Sequence, residues 1–104
     1  MAFGTANGLD MKAILDVVNV SSGRNMATMD KFPNRIVTEA YNGGFATKMM
    51  AKDVRLYVEN VSTTGSAARL GPLVADTFAQ LEEFEANSDF TKIYPFIRDK
   101  HFND

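Results

Sequence analysis

The side chains whose type and spacing best suit ligand chemistry are Lys48, Lys52 and Arg55, three cations that recur at intervals of four and three residues. On a helix this spacing gathers them on one stripe, where they can face a phosphate or a carboxylate. Glu59 joins the same stripe four residues after Arg55, so a solvated face neutralised in part by an Arg55–Glu59 pair is the competing reading. Other chemistry has little material. The chain has no cysteine, which excludes thiol nucleophiles, disulfides, thiolate zinc sites and iron–sulfur clusters. Its single histidine, His101, lies near the C-terminal end, where chains tend to fray, and alone it supports neither a triad nor a histidine metal site. Glu82, Glu83 and Glu85 read as solvated acids rather than metal ligands. The glycines form no G-x-G-x-x-G and no P-loop. The sequence therefore offers no catalytic set and no metal site of its own.

The elements that must position these residues are helical nearly throughout. Leu9, Ala13, Ile14, Val17 and Val18 form one apolar stripe, and Asp10 is a fitting N-cap for a helix to about residue 19. Ser21 or Ser22 is expected to cap a second helix through Met26, Met29 and Phe32, and Pro33 is expected to end it. Residues 33–44 then read as a connector, with Asn42-Gly43-Gly44 as a turn that leads into the next helix. The longest helix is expected over 45–62, closed by Thr63-Thr64-Gly65. Another runs over 70–86, with Leu70, Leu73, Val74, Phe78, Leu81 and Phe84 on its packed face and Pro72 in its first turn, where a missing N–H is harmless. Asp89 can cap a short aromatic segment carrying Phe90, Ile93, Tyr94 and Phe96. The fold class is all-α.

A wheel at 100° per residue places the apolar residues of the long helix over an arc of about 240°, from Phe45 to Ala51. So wide an arc predicts a central helix with neighbours on two sides, and the amphipathic helices 10–19 and 70–86 are expected to pack against it. Lys52 lies at its rim, where an apolar stem can border the core while the ammonium reaches outward. Asp53 falls inside the arc. A carboxylate there is expected to be buried and paired, holding a neighbouring helix end, because an unpaired buried charge costs several kcal/mol.

The chain's 104 residues allow one domain. Eleven basic and thirteen acidic residues give a formal charge of −2, which argues against a broadly basic nucleic-acid binder. No apolar run approaches the roughly 20 residues of a membrane span, and the N-terminus lacks a signal-peptide pattern. A cytoplasmic location with no membrane and no nucleic-acid partner is the expectation.

Several segments carry a more specific likeness: Gly8-Leu9-Asp10, then Val18 to Arg24, Gly44-Phe45, Met49 to Leu56, and Asp89-Phe90-Thr91. In order and spacing they resemble the C-terminal domain of the β-hydroxyacid dehydrogenases, which include 3-hydroxyisobutyrate dehydrogenase and, more distantly, 6-phosphogluconate dehydrogenase. Arg69 departs from the pattern, since many members have proline there. The resemblance implies an all-helical domain that closes over NAD or NADP held on an N-terminal Rossmann domain, acts on a small 3-hydroxyacid, and takes part in a homo-oligomer. It also implies that Lys52 of the Lys52-Asp53 pair reaches the nicotinamide end of the cofactor. The family's general acid/base lysine motif has no counterpart here and is expected upstream of Met1, leaving a fragment that is inactive alone. A stand-alone helical interaction module is the alternative.

Overall fold

A computed structural model describes residues 1–65 and 68–103. Helix α1 covers Ala2–Ala6, α2 Met11–Val18, α3 Ala27–Ile36, α4 Thr47–Thr64, α5 Gly71–Phe84 and α6 Ile93–Arg98. A short 3-10 turn, Phe90–Lys92, precedes α6. The described residues contain no strand, only one isolated antiparallel bridge between Ala46 and Asp89. The expected all-α class holds.

Local rules account for most boundaries. The Asp10 carboxylate accepts from the Ala13 N–H at 3.2 Å and starts α2. Gly65 ends α4 in the left-handed region at φ 73°, where its N–H donates to the Val61 carbonyl at 2.8 Å. A Cβ would strain that cap.

The second helix differs from expectation at both ends. Asn25, not Ser21 or Ser22, caps it: Asn25 Oδ1 accepts from the N–H groups of Ala27 and Thr28 at 2.8 and 3.2 Å. Thr28 Oγ1 accepts from the Asn25 N–H in return, at 2.9 Å. Nor does Pro33 end α3. The helix widens to π-type turns, as in the Val37 N–H to Phe32 carbonyl bond at 2.8 Å, and continues to Ile36. A wider turn moves the carbonyl that a proline ring would strike in an α-helix, so the ring is accommodated.

Packing is organised by two units. Helices α4 and α5 form a long antiparallel pair, while α2 packs on α1 and α3 rather than on α4 as expected. The Phe90–Lys92 turn touches α3, α4 and α6 and joins the two units. The core consists of Leu15, Ile36, Ala51, Leu81, Tyr94 and Phe96, with Thr28, Thr47, Ser88 and Thr91 as its buried polar members. Tyr94 meets Phe32 edge-on, with ring centres 5.7 Å apart, and its hydroxyl lies 3.1 Å from Thr5 Oγ1. The short aromatic segment is thus the hub of the fold.

The open end of the α4–α5 pair is clamped by Asp89. Its Oδ1 accepts from the N–H groups of Gly44 and Phe45 at 2.8 and 3.2 Å. Its Oδ2 accepts from the Thr91 N–H at 3.0 Å and from the Thr91 hydroxyl. Thr47 N–H donates to the Ser88 carbonyl at 2.9 Å, and the buried hydroxyls of Thr47 and Ser88 lie 2.7 Å apart. The carboxylate that holds a helix end is therefore Asp89.

The C-terminal residues are docked. His101 stacks on Phe84 with ring centres 4.6 Å apart. The Gln80 side-chain amide makes two bonds with the backbone of Asn103, at 2.6 and 3.0 Å.

Candidate functional site

Lys52 stands in the second turn of α4, on a helix whose start is fixed by the Asp89 clamp. Its ammonium lies 3.1 Å from Asp53 Oδ1, and the two side chains are 48% and 51% exposed. Asp53 thus does not enter the packed face as expected. Consecutive helical residues point about 100° apart, but both of these side chains curl to meet at the surface, where an ion pair keeps most of its hydration. Asp53 edges a shallow cleft of about 310 Å³ together with Val54, Tyr57, Gly71 and Val74.

The rest of the charged stripe is open. Lys48, Arg55 and Glu59 are exposed, and among the described residues Arg55 and Glu59 form no ion pair. The expected neutralisation is absent, so three cations face outward on one side of α4. Met49 and Leu56, at i−3 and i+4 from Lys52, are also exposed and give the ammonium an apolar border.

The α4 helix packs chiefly on α5 and also touches the Phe90–Lys92 turn. Val58 borders Gly71 of α5, Val54 shares a cleft with Gly71 and Val74, and Ala51 on the same helix is buried. Leu56 and Tyr57 remain about half exposed. Beyond Tyr57 a larger apolar cleft of about 850 Å³ opens beside Leu70, Leu73 and Val74. These three residues were expected to line the packed face of the fourth helix, yet they are 74%, 67% and 44% exposed.

A second cluster, unforeseen in the sequence, lies at the other end of the hub. Tyr41, Phe84, Lys92, Phe96, Arg98 and His101 line a cleft of about 350 Å³. Lys92 Nζ sits 4.6 Å from the centre of the Tyr41 ring. Burial pushes the Tyr41 phenol above its usual range. The neighbouring Arg98 hydrogen-bonds Asp99 through two nitrogens, at 2.7 and 2.8 Å, which holds the guanidinium firmly protonated. No sequence spacing announces this cleft, because its walls come from three separate stretches of chain, 39–41, 81–85 and 92–101. Among the described residues, no group of three or more His, Asp or Glu is placed to hold a metal ion, Glu82, Glu83 and Glu85 included. No described helix is long and apolar enough to cross a membrane.

Lys52 presents a single accessible ammonium with apolar edges, while none of the clefts above is lined by Lys52 or enclosed by glycine-rich turns. An exposed ammonium of this kind can meet an anionic group.

Residues 1–97 match a family model described as the NAD-binding domain of NADP-dependent 3-hydroxyisobutyrate dehydrogenase. The mitochondrial 3-hydroxyisobutyrate dehydrogenase of Homo sapiens is 30% identical over 96% of this chain and 32% of its own length. An NAD-dependent L-serine dehydrogenase of Pseudomonas aeruginosa is 32% identical over 89% of this chain and 34% of its own. The solved structure of 3-hydroxyisobutyrate dehydrogenase from Mycobacterium tuberculosis with L-serine superposes with a TM-score of 0.80. That alignment has 26% identity and covers 92% of this chain and 35% of that one. The chain spans about a third of the length of the curated relatives it matches. From the Asp10-capped helix to the Phe90–Lys92 hub it belongs to the NAD-binding helical domain family of the 3-hydroxyisobutyrate dehydrogenases.

Proposed function

We propose that this domain closes over the nicotinamide end of NAD or NADP in a two-domain dehydrogenase acting on a small 3-hydroxyacid, with Lys52 as the side chain it contributes. The carrying observation is the accessible Lys52 ammonium on a rigid, clamped helix, within a fold that aligns over 92% of its length with a 3-hydroxyisobutyrate dehydrogenase. When bound, the cofactor supplies a nicotinamide C4 that exchanges hydride with the substrate carbinol carbon. Lys52 orients an anionic or carbonyl group at the domain cleft, and Asp53 holds the ammonium in place without drawing it into the core. Met49 and Leu56 border the charge and help exclude water. The dinucleotide fold and the general acid/base lysine belong to a partner domain in this reading.

Hydride transfer requires a held cofactor and a base within hydrogen-bond reach. A protein joining this domain to a dinucleotide-binding domain is therefore expected to reduce NAD or NADP with 3-hydroxyisobutyrate or L-serine. The 104-residue chain alone is expected to give none of that turnover. Following absorbance at the reduced-nicotinamide band decides the matter: turnover by the chain alone, or none by the two-domain protein, defeats the proposal.

The same reading includes a homo-oligomer. Tyr57, Leu70, Leu73 and Val74 leave one side of the α4–α5 pair apolar and open to solvent, and contiguous surface of this kind drives association. Sedimentation velocity across a concentration series is expected to reveal a dimer or larger species that Leu73→Glu dissolves. A single monomeric boundary at every concentration counts against it.

A further inference from the structure

Two Asn-Gly steps occur in the chain, Asn7-Gly8 and Asn42-Gly43, and both asparagines are exposed. We propose that Asn42 is a site of spontaneous deamidation and isoaspartate formation, and that Asn7 is protected from it. In this reaction the Gly43 backbone nitrogen attacks the Asn42 side-chain carbon Cγ. The Gly43 N–Asn42 Cγ bond forms, the Cγ–Nδ2 bond breaks, and ammonia departs with the proton lost from the Gly43 nitrogen. Water then opens the five-membered succinimide at either carbonyl, giving aspartate or isoaspartate, with no change of oxidation state. Water is the only co-reactant.

The surroundings of the two steps differ in each group the reaction uses. The Asn42 Nδ2, which must leave, donates to no partner among the described residues. The Asn42 Oδ1 accepts one long bond, 3.4 Å, from Arg35 Nη1. That guanidinium stands where negative charge develops on the oxygen during attack, the placement that stabilises an oxyanion. Gly43 lies against the Asp89 carboxylate, so close that a Cβ built on it would come within 3.1 Å of Oδ2. A carboxylate that can accept a proton therefore lies beside the Gly43 backbone. At the other step, Asn7 Nδ2 donates to the Phe3 carbonyl at 2.8 Å, and the Gly8 N–H donates to the Thr5 carbonyl at 3.1 Å. Leaving group and nucleophile are both tied down there, and no cation sits at the amide oxygen among the described residues.

Conversion at Asn42 places a carboxylate beside Arg35. In the isoaspartyl product it also adds a backbone carbon immediately before the Gly44 and Phe45 N–H groups that Asp89 binds. The site is thus coupled to the clamp.

Incubating the full chain at mildly alkaline pH and mapping its peptides by mass spectrometry tests the proposal. The expected result is an increase of about 1 Da in the peptide holding Asn42, with isoaspartate detected there by enzymatic methylation. Conversion at Asn7 is expected to be at least about tenfold slower, since its two hydrogen bonds must first break. The Asn42→Gln variant, whose longer side chain closes a less favourable ring, should lose the isoaspartyl signal. Equal or faster conversion at Asn7, an unmodified Asn42 peptide, or a signal that survives in Asn42→Gln overturns the assignment.

Discussion

Replacing Asp89 with alanine is expected to lower the unfolding free energy by about 2–4 kcal/mol, because one carboxylate serves four donors at the open end of the α4–α5 pair. The same group should set the acid limb of stability. Burial works to raise the Asp89 carboxyl, but the Thr91 hydroxyl and the backbone N–H groups of Thr91 and of the turn before α4 outweigh it. The net result is a pKa below the usual carboxylate value. The folded chain thus binds this proton more weakly than the unfolded chain does. Its contribution is complete above the ordinary aspartate value of about 4 and disappears as pH falls through the depressed folded value. Asp30 and Asp99 are also held low, the first by hydrogen bonds from Asn34 and Lys31, the second by Arg98. Both lie nearer solvent, where salt screens their pairs. Urea unfolding from pH 2 to 7 in about 0.5 M salt should therefore isolate Asp89. Asp89→Asn should flatten the acid limb. Identical midpoints for wild type and Asp89→Ala at neutral pH would refute the clamp.

Lys52→Ala, made in the two-domain protein, is expected to reduce kcat/KM by about 10- to 100-fold, the loss of one charge-assisted contact made as the domains close. Its melting temperature should hardly move, because the side chain is half exposed and its one ion-pair partner is equally so. The structure changes the expectation for its neighbour. Were Asp53 buried, its removal would strand a partner; as an exposed residue it should alter stability by no more than about 0.5 kcal/mol on replacement by alanine. Its effect should appear as a rise in KM, through an ammonium less firmly placed. Steady-state kinetics and thermal melts on the two variants check the pair together. Unchanged kinetics for Lys52→Ala would return the Lys48–Lys52–Arg55 stripe to a solvated face.

Where local chemistry decides, the sequence was readable. Asp10 capped its helix, Gly65 ended another, and Pro72 took its place in a first turn. The family likeness across Met49–Leu56 located the candidate lysine. Position relative to distant segments was less readable. The wheel measured how much of α4 is apolar, but not how much of that surface this chain covers; Leu56 and Tyr57 stay open as a result. Asp53 was assigned to the interior by its angle alone, which ignores that an adjacent lysine can draw a carboxylate to the surface. Asp89 was readable as a cap for the turn that follows it, yet its grip on Gly44 and Phe45 spans 44–45 residues, beyond any periodicity. Pro33 misled because the stop rule presumes α geometry, and α3 is wider.

That long span has a consequence for how the chain assembles. Helices α4 and α5 are joined by a short connection and can find each other while the rest of the chain is still disordered, as local contacts usually form early. Once they lie antiparallel, the residues before α4 and after α5 are already neighbours, so little further loop entropy is lost when Asp89 bridges them. The bridge is then expected to form after the rate-limiting step, as a late fastening on an existing hairpin. Weakening it should leave the speed of assembly nearly untouched and shorten the lifetime of the assembled state.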